Sequence, residues 1–127
     1  MLDAVELLPA GFAGGSGAPE IELLDRLSVR LARLLRVRIP VRTEPLDIAA
    51  AWNAERAQAW STEILALMNG QPSRPGAVRV ALTELDLAVP VLTFVFGEAL
   101  LGGASAVVSL HRLRNEFYGL APDENLL

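Results

Sequence analysis

Residues 11–20, GFAGGSGAPE, are the first stretch of this 127-residue sequence where chemistry is conceivable. The stretch follows an apolar run and precedes a helical pattern, the position of a phosphate-cradling loop. Its details do not fit. No Gly-Lys-Ser/Thr closes it, the glycine spacing is not GxGxxG, and Glu20 and Glu22 put negative charge where an anion would lie. It reads as an ordinary flexible loop, which leaves a small nucleotide-binding protein with little support. His111 is the sole histidine, and without any cysteine it cannot complete a zinc site of the usual ligand number. It reads as a surface or strand-end residue. Ser61, Ser105 and Ser109 have no HxD or GxSxG setting, so a serine-hydrolase triad is not indicated. Glu84, Asp86 and Glu98 are near one another and of the right type for paired acid–base work, but acidic residues at strand ends are ordinarily solvated. Trp52, Arg56 and Trp60 recur every fourth residue. On a helix they share a face, with Arg56 stacked between the rings or paired with a carboxylate, and either duty is structural.

The elements that would position these residues come from patterning. The composition, 52% hydrophobic and 20% charged, suits one globular domain spanning residues 1–127. A formal net charge of −4 argues against nucleic acid as a partner, and the run Arg26, Arg30, Arg33, Arg36, Arg38 and Arg42 reads as a solvated face. The absence of cysteine fits a reducing compartment, and MLDAVELLPAGFAGGSG is neither signal peptide nor membrane span, so a cytoplasmic protein without a membrane partner is expected.

Residues 4–10 suit a buried first strand, and a helix is expected from Glu20 to about Arg36, with Ile21, Leu24, Leu27, Leu31 and Leu34 on one face. VRIPVR (37–42) alternates apolar and wet positions around Pro40 and is predicted to be a protected sheet edge. A second helix is predicted to follow Asp47 as its cap and to run to Asn69-Gly70, marked by Trp52, Arg56, Trp60, Ile64, Leu67 and Met68. A strand at 78–83 and two more, LTFVFG and SAVVSL, joined through a Gly102-Gly103 turn, complete a β-α-β-α-β-β-β order. The fold class is α/β (α+β): a mixed, mostly parallel five-stranded twisted sheet with one antiparallel edge strand and two packed helices.

Four blocks in order, LLPAG (7–11), ERAQAWSTEIL (55–65), ALTELDLAVPVLTFVFGEA (81–99) and AVVSLHRLRNEFYG (106–119), resemble the N-terminal half of the archaemetzincins, zinc metallopeptidases of the metzincin clan. FVFGEA followed at this distance by VVSLxRL is the specific part. One departure is Ala59, where the family tends to have an aromatic directly after RxQ; here Trp60 comes next.

The resemblance implies that LTFVFG runs antiparallel to the rest of the sheet and forms the upper rim of a cleft along which an extended peptide substrate lies. Thr93, Phe94, Val95, Phe96 and Gly97 are then the substrate-binding residues, by strand addition. Read without the resemblance, the same residues are a plain buried strand. With no charge or proline inside it, an uncovered strand of this kind self-associates unless a partner or further chain pairs with it. In the family a helix carrying HExxHxxGxxH and a cysteine-bearing second zinc site follow, and no residue of this sequence matches those ligands. The expectation is therefore a substrate-positioning N-terminal part of a zinc peptidase. Zinc and catalysis reside in the complete enzyme, with no metal ligand or catalytic residue in this chain and no activity by it alone. The alternative is a non-catalytic peptide-binding or dimerisation module derived from that family.

Overall fold

A computed structural model describes residues 2–70, 76–100 and 103–114. The first strand, β1 (Ala4–Gly11), is apolar apart from Glu6 and is buried along almost its whole length, as suits a strand covered on both faces. The helix α1 (Ile21–Leu35) buries Leu23 and Leu24 and presents Arg26, Arg30 and Arg33 to solvent, in keeping with a solvated arginine face. It ends at Arg36, whose φ of 56° is left-handed and whose N–H bonds back to the Ala32 carbonyl at 2.9 Å.

Residues 37–42 lie along β1, with Val5 N–H donating to Arg38 O (2.9 Å), Leu7 N–H to Pro40 O (2.9 Å) and Arg42 N–H to Leu7 O (2.8 Å). They form isolated bridges, Ala4 to Arg38 and Leu7 to Val41, rather than the predicted continuous strand. The bond made by Arg42 N–H would have its equivalent two residues earlier, at Pro40, which has no N–H. The edge continues as β2 (Leu46–Asp47), parallel to the end of β1.

The predicted second helix is corrected. Only α2 (Ser61–Asn69) is helical; residues 49–60 form a 3-10 turn and a small hairpin of β3 (Trp52–Asn53) and β4 (Gln58–Trp60). Local side-chain bonds override the helical periodicity. Asp47 Oδ1 accepts from Ala49 N–H at 2.9 Å, so Asp47 caps a short turn, and Asn53 Oδ1 accepts from Arg56 N–H at 3.1 Å, bending the chain until Ala57 sits at φ 52°. Trp52 and Trp60 therefore do not share a helix face. Trp52 meets Phe12 edge-to-face at 5.3 Å, while Arg56 lies over the Trp60 ring at 5.0 Å.

After β5 (Ala77–Thr83) come β6 (Leu87–Ala88), parallel to β4, then β7 (Gly97–Ala99) and β8 (Ser105–Ser109). The main sheet has the order β2-β1-β5-β8-β7, parallel throughout except β7 against β8, the mixed five-stranded arrangement expected from the sequence. The strand predicted over LTFVFG starts later than expected: Val91–Val95 is outside the ladder, apart from a bridge between Val95 and Leu87. Pro90 opens a turn closed by Leu92 N–H on Val89 O at 3.1 Å, which keeps Val91 and Leu92 out of the strand. Of the glycine pair expected to turn the chain, Gly102 lies outside the described residues.

Side-chain alternation divides the apolar residues between the two sheet faces. Leu8, Ala10, Ala81 and Val107 pack with Ile64, Leu65 and Met68 of α2, and Val5, Leu7 and Leu82 pack with Leu23 and Leu24 of α1. Each helix thus seals a separate core. No helix among the described residues is long and apolar enough to cross a membrane.

Candidate functional site

The candidate edge is built from β7 outward. Ser109 N–H donates to Phe96 O (2.8 Å) and Leu100 N–H to Ser105 O (3.2 Å), with Glu98 opposite Val107 between them. Antiparallel pairing alternates, so Phe96, Glu98 and Leu100 direct their main-chain groups to β8, while those of Gly97 and Ala99 point away from it. Both residues are exposed, and β7 ends the sheet among the described residues. Glycine is required at 97 by close approach: a Cβ there would lie 2.7 Å from the Val107 carbonyl oxygen.

Glu98 fastens this edge to α2. Its carboxylate accepts from Ser61 Oγ at 2.5 Å and from Thr62 Oγ1 at 2.9 and 3.1 Å, at the positive end of the helix. Ser61 is fully buried, so the attachment is anchored in the core.

Upstream, the segment leading into β7 is held by a polar network. Arg56 Nη2 donates to the carbonyls of Leu92 (2.9 Å) and Thr93 (3.1 Å), and its Nε donates to Gln58 Oε1 (2.8 Å). Gln58 Nε2 in turn donates to Thr93 O (2.9 Å) and Asp86 Oδ2 (2.8 Å). Arg112 grips Asp86 with two parallel bonds of 2.9 Å, and its guanidinium carbon sits 3.8 Å from the Phe94 ring centroid. Phe94 meets Phe96 edge-to-face at 5.3 Å. Burial by itself would raise the Asp86 pKa. Hydrogen bonds from Arg112 and Gln58, with the charges of Arg112 and His111, outweigh it and hold the carboxyl below its ordinary value.

Among the residues predicted for substrate binding, Phe96 and Gly97 join the β8 pairing, whereas Thr93, Phe94 and Val95 precede it. The Thr93 carbonyl is taken by Arg56 and Gln58, and the Val95 N–H by Leu87 O at 2.9 Å. Thr93, Phe96 and Gly97 are exposed; Phe94 and Val95 are half-buried. Ala99 and the Arg56–Gln58 pair were missed. The signal was RxQ: the turn at Ala57 brings the two side chains together, a relation hidden once the segment is read as helix.

The carboxylates considered for acid–base work are separately engaged, Glu84 with Arg114, Asp86 with Arg112 and Glu98 with hydroxyls. His111 Nδ1 lies 3.2 Å from the Glu84 carbonyl oxygen. The glycine-rich loop turns its amides onto itself, Phe12 N–H to Ser16 O (2.7 Å), Gly15 N–H to Phe12 O (3.0 Å) and Ala18 N–H to Gly15 O (3.1 Å), so no phosphate cradle forms from them. Among the described residues no group of three or more His, Asp or Glu is disposed to hold a metal ion, and this donor set does not fit zinc.

No protein-family profile matches the chain. It is 46% identical over 77 residues to an archaemetzincin of Methanocaldococcus jannaschii, an alignment covering 61% of this chain and 41% of that protein. The chain thus spans about two-fifths of the length of the curated relatives it matches. Its fold superposes on an archaemetzincin crystal structure from Methanopyrus kandleri with a TM-score of 0.73 at 28% identity, covering 98% of this chain and 64% of that one. It also superposes on a zinc-dependent peptidase from Methanocorpusculum labreanum with a TM-score of 0.76 at 21% identity, covering 96% and 71%.

Proposed function

We propose, from its similarity to archaemetzincins, that the chain is the substrate-positioning part of a zinc-dependent peptidase of that family, and that an extended peptide pairs with the outer edge of β7. The observation carrying this reading is the outward direction of the Gly97 and Ala99 main-chain groups at an exposed sheet edge. The predicted residues divide the work. Phe96 and Gly97 give the docking strand its ladder, and Thr93, Phe94 and Val95 form the braced approach that fixes its direction, held by Arg56, Gln58 and Arg112.

Peptide-bond hydrolysis belongs to the complete family enzyme, in which zinc supplies Lewis acidity for an attacking water. In this reading the part of the chain is binding and orientation, without turnover of its own, and no group of three or more His, Asp or Glu among the described residues is disposed to hold the ion. A cytoplasmic setting goes with this reading and with the cysteine-free composition.

Titrating the isotope-labelled 127-residue chain with a capped extended peptide tests the reading by amide NMR. Shifts led by Gly97 and Ala99 are expected; binding that leaves both amides unmoved would sink it. Zinc-dependent cleavage of the same peptide by the pure chain would overturn the claim that it lacks turnover.

A further inference from the structure

Phe96, Glu98 and Leu100 have the same parity, so their side chains lie on one sheet face, the face on which Glu98 meets Ser61 and Thr62 of α2. A strand added outside β7 bonds the main chains of Gly97 and Ala99. In either direction, the added residue beside Glu98 then puts its side chain on that same face. Glu98 is half-buried, and its partners there are neutral hydroxyls. Among the described residues it makes no ion pair, in contrast to Glu6, Glu84 and Asp86, each joined to an arginine. Hydroxyl donors fix the direction of the carboxylate without cancelling its charge. Flanking it along the face are Phe96, which is 49% exposed, and Leu100, so the edge reads apolar, acidic, apolar.

We propose that Glu98 selects peptides with a basic side chain, lysine or arginine, at the position laid beside it, flanked two residues away on each side by apolar ones. This deepens the edge-docking reading and rests on it. Opposite charges directly across a strand pair attract and like charges repel. A second copy of the chain centred on the same residue would set two Glu98 carboxylates against each other, which is why a basic peptide is the occupant argued for.

The test uses acetyl-Val-Thr-X-Thr-Val-amide, with X as Lys, Ala or Glu, titrated against the full 127-residue chain and its Glu98→Gln variant at low ionic strength. Glutamine still accepts from Ser61 and Thr62, and the wild-type series stands even if the variant is lost. The Lys peptide should bind about threefold tighter than Ala, and Ala about threefold tighter than Glu. The spread should collapse in Glu98→Gln and shrink at about 1 M salt, where screening is effective beyond about 3 Å. Equal affinities with shifts at Gly97 and Ala99 would overturn the selectivity while leaving edge docking intact. Binding without those shifts would overturn both, as would a concentration-dependent dimer that excludes all three peptides.

Discussion

Replacing Asp86 by asparagine removes the charge at the centre of the network that braces the approach to β7. The residue is 7% exposed, and its carboxylate accepts two bonds from Arg112 and one from Gln58. Asparagine keeps one acceptor oxygen but turns an amide donor toward groups that also donate. Hydrogen bonds to a charged group contribute about 1.5–3 kcal/mol, and breaking a fully buried pair costs about 3–5 kcal/mol. Arg112 keeps 23% side-chain exposure and its Phe94 ring, so the expected loss is at the lower end, about 2 kcal/mol, or roughly 6–10 °C in Tm for a chain of this size. The assay is urea unfolding of both proteins followed by circular dichroism across pH. Because the folded pKa of Asp86 lies below its unfolded value, its contribution is fully present above the unfolded value of about 3.9 and is lost as pH falls through the folded one. The gap between the proteins should therefore be full at pH 7 and close at strongly acid pH. A gap under about 0.5 kcal/mol at neutral pH, or one that persists unchanged in acid, would refute the assignment of Asp86 as the charged hub.

Gly97→Ala should cost about 1–3 kcal/mol, because the added methyl meets the Val107 carbonyl, and hydrogen exchange should quicken first at the Leu100 and Ser109 amides. Ser61→Ala leaves Glu98 with Thr62 alone and should lower stability by about 1 kcal/mol in denaturant unfolding. Arg56→Ala acts on exposed bonds to Leu92 and Thr93, so global stability should fall by less than about 1 kcal/mol while edge peptides bind more weakly by isothermal titration.

The central sheet was legible because β1 is apolar but for Glu6 and β5 alternates around Val78, Val80 and Leu82, and α1 because its leucines keep one period over four turns. The second helix was misread for the opposite reason. Trp52, Arg56 and Trp60 fall at helical spacing, but Asp47 and Asn53 offer the backbone local bonds that a periodicity count does not weigh. The antiparallel edge was anticipated, while its register was not: Thr93 and Val95 are engaged by partners that come together only in three dimensions, Gln58 and Arg56 from one hairpin and Leu87 from β6. Glu98 was noticed as one of three neighbouring acids. Its distinction from Glu84 and Asp86 lies in what faces it, which sequence adjacency does not encode.

The pairing of Ala4 with Ala77 joins segments separated by more than half the chain, whereas Ala99 pairs with Ala106 across a short turn. Closing the long loop is the slower search, since its entropy must be met before any ladder bond compensates. The β7–β8 hairpin can therefore form early, on the microsecond scale of isolated hairpins at about 1–10 μs, and wait for β5 to arrive. During that interval its outer edge is already presented while the central strands are not yet sealed, so the surface proposed for peptide pairing is also the one most open to misassembly during folding.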